Sequence, residues 1–206
     1  MAYLVLVRHG ESEWNAKSLW TGLTDVSLTE KGVAEAQAAG EKIKNIHFDL
    51  AYVSTLKRAQ QTLDEIKKVI HQDPPTKENA ALNERDYGDY TGKNKYQVKE
   101  EVGEEEFIRI RRSWDHPPTN GESLKMVYER TIPYYQEEIL PNLKEGKNIL
   151  VAAHGNSLRA LIKYLDNISD ADIPNLEFAT GTIYVYEIDP EGNITDKKIY
   201  GAGKAN

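Results

Sequence analysis

The sequence predicts a three-layer α/β/α fold built on a mainly parallel central sheet with an antiparallel edge strand. Three observations carry this expectation. Short unbroken apolar runs at residues 3–7, 50–53 and 149–153 read as strands covered on both faces. Between them lie long segments with apolar residues three or four apart, the pattern of crossover helices between parallel strands. The last two apolar segments, 181–188 and 194–200, flank Asp189-Pro-Glu-Gly-Asn193, a turn composition that joins antiparallel neighbours.

Each element has a local reason. Tyr3-Leu-Val-Leu-Val7 is β-branched and leucine-rich, and Ile149-Leu-Val-Ala-Ala153 matches it. Thr29 is a good N-cap for a helix to about Lys44, with Val33, Ala36, Gly40 and Ile43 on one face. Residues 56–70 repeat the pattern through Ala59, Leu63, Ile66 and Ile70. A third helix is expected over 123–140, kinked or interrupted by Pro133, whose ring removes a backbone donor. Asn156 or Ser157 is expected to cap a fourth, carrying Leu158, Leu161, Ile162 and Leu165. Asp73-Pro-Pro75 and His116-Pro-Pro118 read as loop punctuation. With no repeat, low-complexity tract or linker, residues 1–206 are expected to form a single domain.

Composition narrows the function. The 206 residues are 39% apolar and 29% charged, a globular balance. Lys and Arg number 26 against 33 Asp and Glu, a formal charge of −7, which argues against nucleic acid or an anionic membrane as partner. A local arginine cluster could still hold an acidic ligand. The absence of cysteine excludes disulfides, thiolate metal sites and cysteine nucleophiles. Arg8 cuts the first apolar run too short for a signal-peptide core, and no stretch approaches the roughly 20 apolar residues of a membrane span. A cytoplasmic location is expected.

The chemistry gathers where two buried strands end. The first runs into Arg8-His9-Gly10-Glu11-Ser12-Glu13-Trp14-Asn15, the second into His154-Gly155-Asn156-Ser157. Ligands of open α/β sheets sit beyond the carboxyl ends of the strands. If these strands are neighbours, two imidazoles face each other there. His-Gly steps expose backbone N–H groups, and Asn156 lies near a helix N-terminus suited to an anion. A lone histidine in such a place is more often structural; two at matching positions, one preceded by arginine, point to a site. A neutral imidazole is a nucleophile near pH 7 that can carry a phosphoryl group, and arginine's planar fork matches phosphate oxygens. The five histidines (9, 47, 71, 116 and 154) show no metal-ligand spacing, so no metal is expected, and no G-x-x-x-x-G-K-[ST] loop is present.

Arg8-His9-Gly10-Glu11 resembles the signature of the histidine phosphatase superfamily. Together with Trp20-Thr-Gly22, Leu82-Asn-Glu-Arg-Asp-Tyr-Gly88 and Ala153-His-Gly-Asn-Ser-Leu-Arg-Ala160, the block from Arg8 to Asn15 resembles the cofactor-dependent phosphoglycerate mutases, from Leu4 to about Tyr186. That likeness implies a phosphoglycerate mutase-like fold. It also implies a glycolytic and gluconeogenic interconversion of 3-phosphoglycerate and 2-phosphoglycerate, through a phosphohistidine primed by 2,3-bisphosphoglycerate.

The resemblance assigns roles residue by residue. His9 is the expected nucleophile. Arg8, Asn15, Arg58 and His154, with the Gly155-Asn156 backbone, are expected to hold the phosphoryl in transit, His154 as a protonated cation. Glu84 is the expected general acid and base. Thr21, Gly22, Tyr87, Lys95, Arg111 and Arg112 are expected to grip the substrate's carboxylate and second phosphate, with Gly10, Glu11, Ser12 and Arg85 also in the binding set. Without the resemblance, Arg58 reads as a solvated helix residue, Glu84-Arg85 as an ion pair, and Arg111-Arg112 as a charged helix face. His47, His71 and His116 match no motif.

The chain also departs from the pattern. Many members carry roughly two dozen additional residues after the arginine pair, whereas Arg112 here leads directly to Gly121-Glu-Ser123. The expectation is a monomer or weak homodimer. The tail after Tyr200, Gly-Ala-Gly-Lys-Ala-Asn, is shorter than the tails that cover the site in many relatives, and Asp86 stands where histidine is common. Two rival functions remain, a hydrolase of the same superfamily and a non-catalytic phosphate-binding module.

Overall fold

Six strands form one sheet in the order β3-β2-β4-β1-β5-β6 in the computed structural model, which describes residues 1–201. They are β1 (Ala2–Arg8), β2 (Leu50–Val53), β3 (Thr76–Glu78), β4 (Ile149–Ala153), β5 (Ile183–Ile188) and β6 (Ile194–Tyr200). β1 to β4 are mutually parallel, β5 runs antiparallel to β1, and β6 closes that edge antiparallel to β5. The expected mainly parallel sheet with an antiparallel edge is therefore present. β4 lies between β1 and β2, and Arg8 pairs with Ala153. That register sets the next residue of each strand, His9 and His154, side by side at the sheet's carboxyl edge.

Among the described residues there are eight α-helices: α1 (Glu13–Ala16), α2 (Glu30–Ile43), α3 (Lys57–Ile70), α4 (Lys95–Val102), α5 (Glu104–Arg112), α6 (Leu124–Tyr134), α7 (Leu140–Lys144) and α8 (Gly155–Leu165). Alternate residues of the central strands feed two cores. Leu4, Leu6, Tyr52 and Val151 pack with Ile132, Tyr135, Leu158 and Leu161 on one face. Val5, Val7, Ala51 and Leu150 pack with Ile43, Leu63 and Ile66 on the other. Burial on both faces explains the continuous apolar runs.

Thr29 caps α2 as expected, its hydroxyl accepting from the Gly32 N–H at 3.1 Å. The buried stripe of α2 is Gly32, Ala36, Ala39, Gly40 and Ile43, while Val33 is only half-buried. Small residues let α2 approach its neighbours closely. A Cβ on Gly40 would lie 2.8 Å from Val69 Cβ on α3. A Cβ on Gly32 would collide with the Glu11 carbonyl, and one on Gly10 with the Gly32 carbonyl. The loop that follows β1 is thus seated backbone against backbone on the first turn of α2.

Three boundaries differ from expectation. The helix with Pro133 does not stop near residue 140; a π turn at Tyr135–Ile139 carries it into α7 and on to Lys144. Proline lacks an N–H and crowds the carbonyl four residues back, here that of Glu129, and the wider turn follows two residues after it. The Glu138 carbonyl in that turn accepts from Tyr52 Oη at 2.9 Å and Asn142 Nδ2 at 2.8 Å. α8 is capped by His154 rather than Asn156 or Ser157. Ser157 Oγ accepts the His154 N–H at 3.2 Å, starting the helix immediately after β4. The last hairpin begins at Ile183, two residues after Gly181.

α4 and α5 meet at Gly103, whose φ of +84° turns the chain between them. Val98, Phe107 and Ile110 pack with Trp20 in a separate small core. No helix among the described residues is long and apolar enough to cross a membrane. Most of the short tail, residues 202–206, lies outside the described residues.

Candidate active site

His9 and His154 stand with ring centroids 4.9 Å apart and are almost fully buried. His9 Nδ1 lies 2.7 Å from the Gly10 carbonyl. A carbonyl can only accept, so Nδ1 carries the proton and Nε2 keeps its lone pair. The Gly10 N–H donates to Thr62 Oγ1 at 3.1 Å, and that hydroxyl donates to the Arg58 carbonyl at 2.8 Å, hanging the loop on α3. Across the pair, His154 Nε2 meets Ser54 Oγ at 2.7 Å.

Both imidazoles are held neutral. Burial pushes His9 well below the usual imidazole range, and the nearby Arg58 and Arg8 guanidiniums add to it. Burial does the same to His154, joined by Arg58, His9 and Arg8. The protonated His154 expected during transfer is thus neutral in the unliganded site. A third positive charge beside two buried arginines is disfavoured, and the cations of the unliganded site are the arginines themselves.

The depressed values have a stability consequence. Unfolded imidazoles titrate near pH 6.5, so below that value the unfolded chain takes up protons that the folded chain refuses. Stability is therefore expected to hold above about pH 6.5 and to fall as pH drops towards the folded values. The slope is up to about 1.4 kcal/mol per pH unit for each proton. Urea unfolding followed from neutral pH to about pH 5.5 checks this, with a shallower slope expected for His154→Gln. Equal slopes for the two proteins would reject the assignment.

The cavity beside the histidines has two parts. An inner recess of about 40 Å³ is bordered by Arg8, His9, Asn15, Thr21, Gly22, Arg58, Glu84, Tyr87 and Lys95. An outer chamber of about 610 Å³ shares Arg8, Asn15, Glu84, Tyr87 and Lys95, and adds Arg111, Arg112, Gly155 and Asn156 among its lining residues. Arg58 lies in the first turn of α3, its Nη1 donating to the Thr24 carbonyl at 2.9 Å and its Nη2 to the Gly22 carbonyl at 2.8 Å. Arg8 donates to the Phe178 carbonyl and packs over Gly155, where a Cβ would lie 3.3 Å from its Cζ. The Nε atoms of both arginines and Thr21 Oγ1 are buried without a protein partner.

Glu84 stands on the wall common to both parts. One carboxylate oxygen accepts from the Arg85 N–H at 2.8 Å, the Asn156 N–H at 3.1 Å and Asn156 Nδ2 at 3.0 Å. Burial alone would raise its pKa, but the Arg85 N–H, Arg8, Arg58 and Asn156 outweigh it and hold the value below the usual carboxylate range. Glu84 is therefore in its base form. Burial, with Arg111 and Arg8, lowers the Lys95 ammonium to about 8.

Other expected residues are placed differently. Gly10, Ser12 and Arg85 are off the cavity wall. Gly10 serves through its backbone, and Ser12 caps α1, its Oγ 2.9 Å from Asn15 Oδ1. Arg85 turns away from Glu84, donating to the Ile110 carbonyl at 2.8 Å and lying 4.8 Å from the Tyr87 ring centroid. Glu11 lines the outer chamber, paired with Lys31 at 2.8 Å. His154 borders neither part and reaches the site through His9. Asp86 is a loop residue whose carboxylate accepts the Gly88 N–H at 2.8 Å.

Two supporting arginines were not anticipated. Arg159 donates to Asn156 Oδ1 at 3.1 Å and to the carbonyls of Arg112, Ile173 and Leu176 at 3.2, 2.9 and 3.1 Å. Burial, with Arg85 and Arg112 nearby, lowers its pKa to about 9. Its place inside the block from Ala153 to Ala160 was an available signal. Arg130 on α6 donates to the carbonyls of Ala81, Asn83 and Glu84 at 2.8, 3.1 and 3.0 Å, and to Glu122 at 3.0 Å. It braces the loop that presents Glu84, and no sequence pattern marks it.

Comparison with known proteins finds relatives over nearly the whole chain. A profile of the histidine phosphatase superfamily (branch 1) matches residues 4–198. A protein of Parvibaculum lavamentivorans named 2,3-bisphosphoglycerate-dependent phosphoglycerate mutase is 50% identical over 199 residues, 95% of each chain. One of the same name from Bradyrhizobium diazoefficiens is 52% identical over 197 residues, 94% of this chain and 95% of its own. Among solved structures, a protein titled mycobacterial hydrolase 1 superposes with a TM-score of 0.84 at 22% identity, covering 100% of both chains. The alpha-ribazole phosphatase of Shigella flexneri gives 0.76 at 27% identity, covering 90% of each.

Proposed function

The chain belongs to the histidine phosphatase superfamily, and from that premise we propose a 2,3-bisphosphoglycerate-dependent phosphoglycerate mutase that carries its phosphoryl group on His9. Residues 1–206 act as a single catalytic domain in the cytoplasm, with small phosphoglycerates as partners. The observation that carries the reading is the two-part cavity. A neutral nucleophile opens on a small recess, a carboxylate in its base form stands at the junction, and an arginine pair lines the chamber beyond. A hydrolase acting on phosphoryl groups alone needs only the recess.

The residues fit the primer. Arg8 Nε, Arg58 Nε and Thr21 Oγ1 are buried donors without partners around the recess, and such groups suit phosphoryl oxygens. Arg111 and Arg112 suit a carboxylate or a second phosphate further out. When bound, 2,3-bisphosphoglycerate supplies the phosphoryl group that loads the enzyme.

His9 Nε2 accepts the group while the Gly10 carbonyl holds the Nδ1 proton and disperses the growing positive charge. Arg8, Arg58 and Asn15 hold the oxygens in flight. In the forward transfer, the bond from phosphorus to Nε2 breaks as one forms to the substrate hydroxyl oxygen. The hydroxyl proton passes to Glu84 and returns when the other phosphoryl group moves back to His9. Tyr87 and Asn156 steady that carboxylate's surroundings through the Asn156 Nδ2 to Tyr87 Oη bond at 2.9 Å.

The outer anchor separates mutase from phosphatase. Charge-assisted contacts are worth roughly 1.5–3 kcal/mol each, so removing both arginines should weaken retention of the doubly phosphorylated species at least about tenfold to a hundredfold. Arg111→Ala/Arg112→Ala is expected to lose isomerisation far more than phosphoenzyme hydrolysis, read as the ratio of isomerised product to inorganic phosphate. A proportional fall in both would remove the pair's assigned role. The direct run from Arg112 to Gly121-Glu-Ser123 leaves the protein a monomer or weak homodimer. Light scattering at micromolar concentration should show at most a dimer, and a stable tetramer would reject that state.

A further inference from the structure

Arg112 already holds a carboxylate of its own chain. Its Nη2 lies 2.9 Å from Glu177 Oε1, and this is an ion pair at the edge of the outer chamber. The segment that delivers Glu177 is fixed on both sides by other arginines of the site. Arg159 holds the carbonyls of Ile173 and Leu176, and Arg8 holds that of Phe178. Glu177 is therefore aimed at Arg112 by backbone tethers. Its side chain retains 46% exposure, so water can receive the carboxylate when it is displaced. Arg111, by contrast, lies over the Phe107 ring, 5.3 Å from its centroid.

We propose that Glu177 is a specificity-determining residue, an internal counter-carboxylate that a ligand's distal anionic group must displace from Arg112. The inference rests on the mutase reading and deepens it. A ligand with only the transferring phosphate fills the recess without disturbing the Arg112–Glu177 pair. A ligand with a second anionic group pays the displacement and then sits beside a freed like charge. The distal grip is thereby weakened on purpose of function: a doubly phosphorylated species must exchange its two ends, and an outer anchor that held too firmly would prevent this.

The test is calorimetric titration of the dephosphorylated protein, wild type and Glu177→Gln, with 3-phosphoglycerate and with inorganic phosphate. Removing a partly exposed ion-pair partner and its repulsion should tighten 3-phosphoglycerate about three- to tenfold. Inorganic phosphate held in the recess, whose lining does not include Arg112, should bind unchanged. In steady state, KM should fall by a similar factor without a rise in kcat. Unchanged 3-phosphoglycerate affinity in the variant, beside normal wild-type turnover, would overturn this inference alone. Equal tightening of both ligands would also overturn it, because that is the mark of a general field. Wild-type protein that neither binds nor turns over 3-phosphoglycerate would overturn the mutase reading and this inference with it.

Discussion

His9→Ala is expected to lose both the phosphoenzyme and all measurable turnover, a fall on the order of 10⁵-fold or more, as for other enzymes deprived of their nucleophile. The neighbouring imidazole cannot stand in. His154 is fully buried, borders neither part of the cavity, and has Nε2 engaged by Ser54 at 2.7 Å. Wild-type protein incubated with labelled 2,3-bisphosphoglycerate should give an acid-labile, alkali-stable label, as a phosphorus–nitrogen bond requires. The variant should give none. Label that persists on another residue in His9→Ala would sink the assignment.

Glu84→Gln is expected to slow phosphoryl transfer in both directions while leaving the fold of the site intact. The amide keeps size and an acceptor oxygen for the Arg85 N–H and the two Asn156 donors, so the local geometry survives. It cannot take a proton. Transfer to and from the hydroxyl of a monophosphate should drop about 10²–10⁴-fold, the usual contribution of such a base. Loading of His9 from the bisphosphate, whose departing oxygen takes its proton from Glu84, should slow by a similar factor, because it is the same proton transfer run backwards. Rapid-quench measurement of label on the protein beside steady-state mutase assays gives both numbers. Wild-type mutase turnover would mean that Glu84 only neutralises Arg8 and Arg58.

The legible part of the molecule was the part governed by short-range pattern. β1 and β4 announce themselves because burial on both faces leaves no room for polar residues, and α3 because its buried positions recur every three or four. β3 was missed since its three residues, Thr-Lys-Glu, are exposed at an edge and carry no apolar signal. α4 was missed, and α5 was read only as the charged helix face at Arg111-Arg112, because their core is three side chains, Val98, Phe107 and Ile110, against Trp20. Within the site, the reactive groups follow strands in recognisable blocks, and the register of β1 with β4 brings them together. Arg130 and Arg159 act on backbone carbonyls that come near only in the folded chain, and one-dimensional spacing cannot show that. The lowered pKa of His154 in the unliganded site was not legible for the same reason, since burial beside Arg58 is a three-dimensional fact.

The contact between Gly10 and Gly32 changes what counts as part of the reactive centre. Each glycine faces the other strand of backbone with no side chain between, so neither neighbour owns a rotatable group that could swing aside. The interface has no slack, and a methyl group on either side must be accommodated by moving main chain. On one side that main chain includes the Gly10 carbonyl, the acceptor that decides which nitrogen of His9 is bare. Gly32 has no reactive atom and stands on a different element, yet the tolerance of its position is set by the tautomer of the nucleophile. Steric fit between a loop and the first turn of α2 and proton placement on an imidazole are here one and the same constraint.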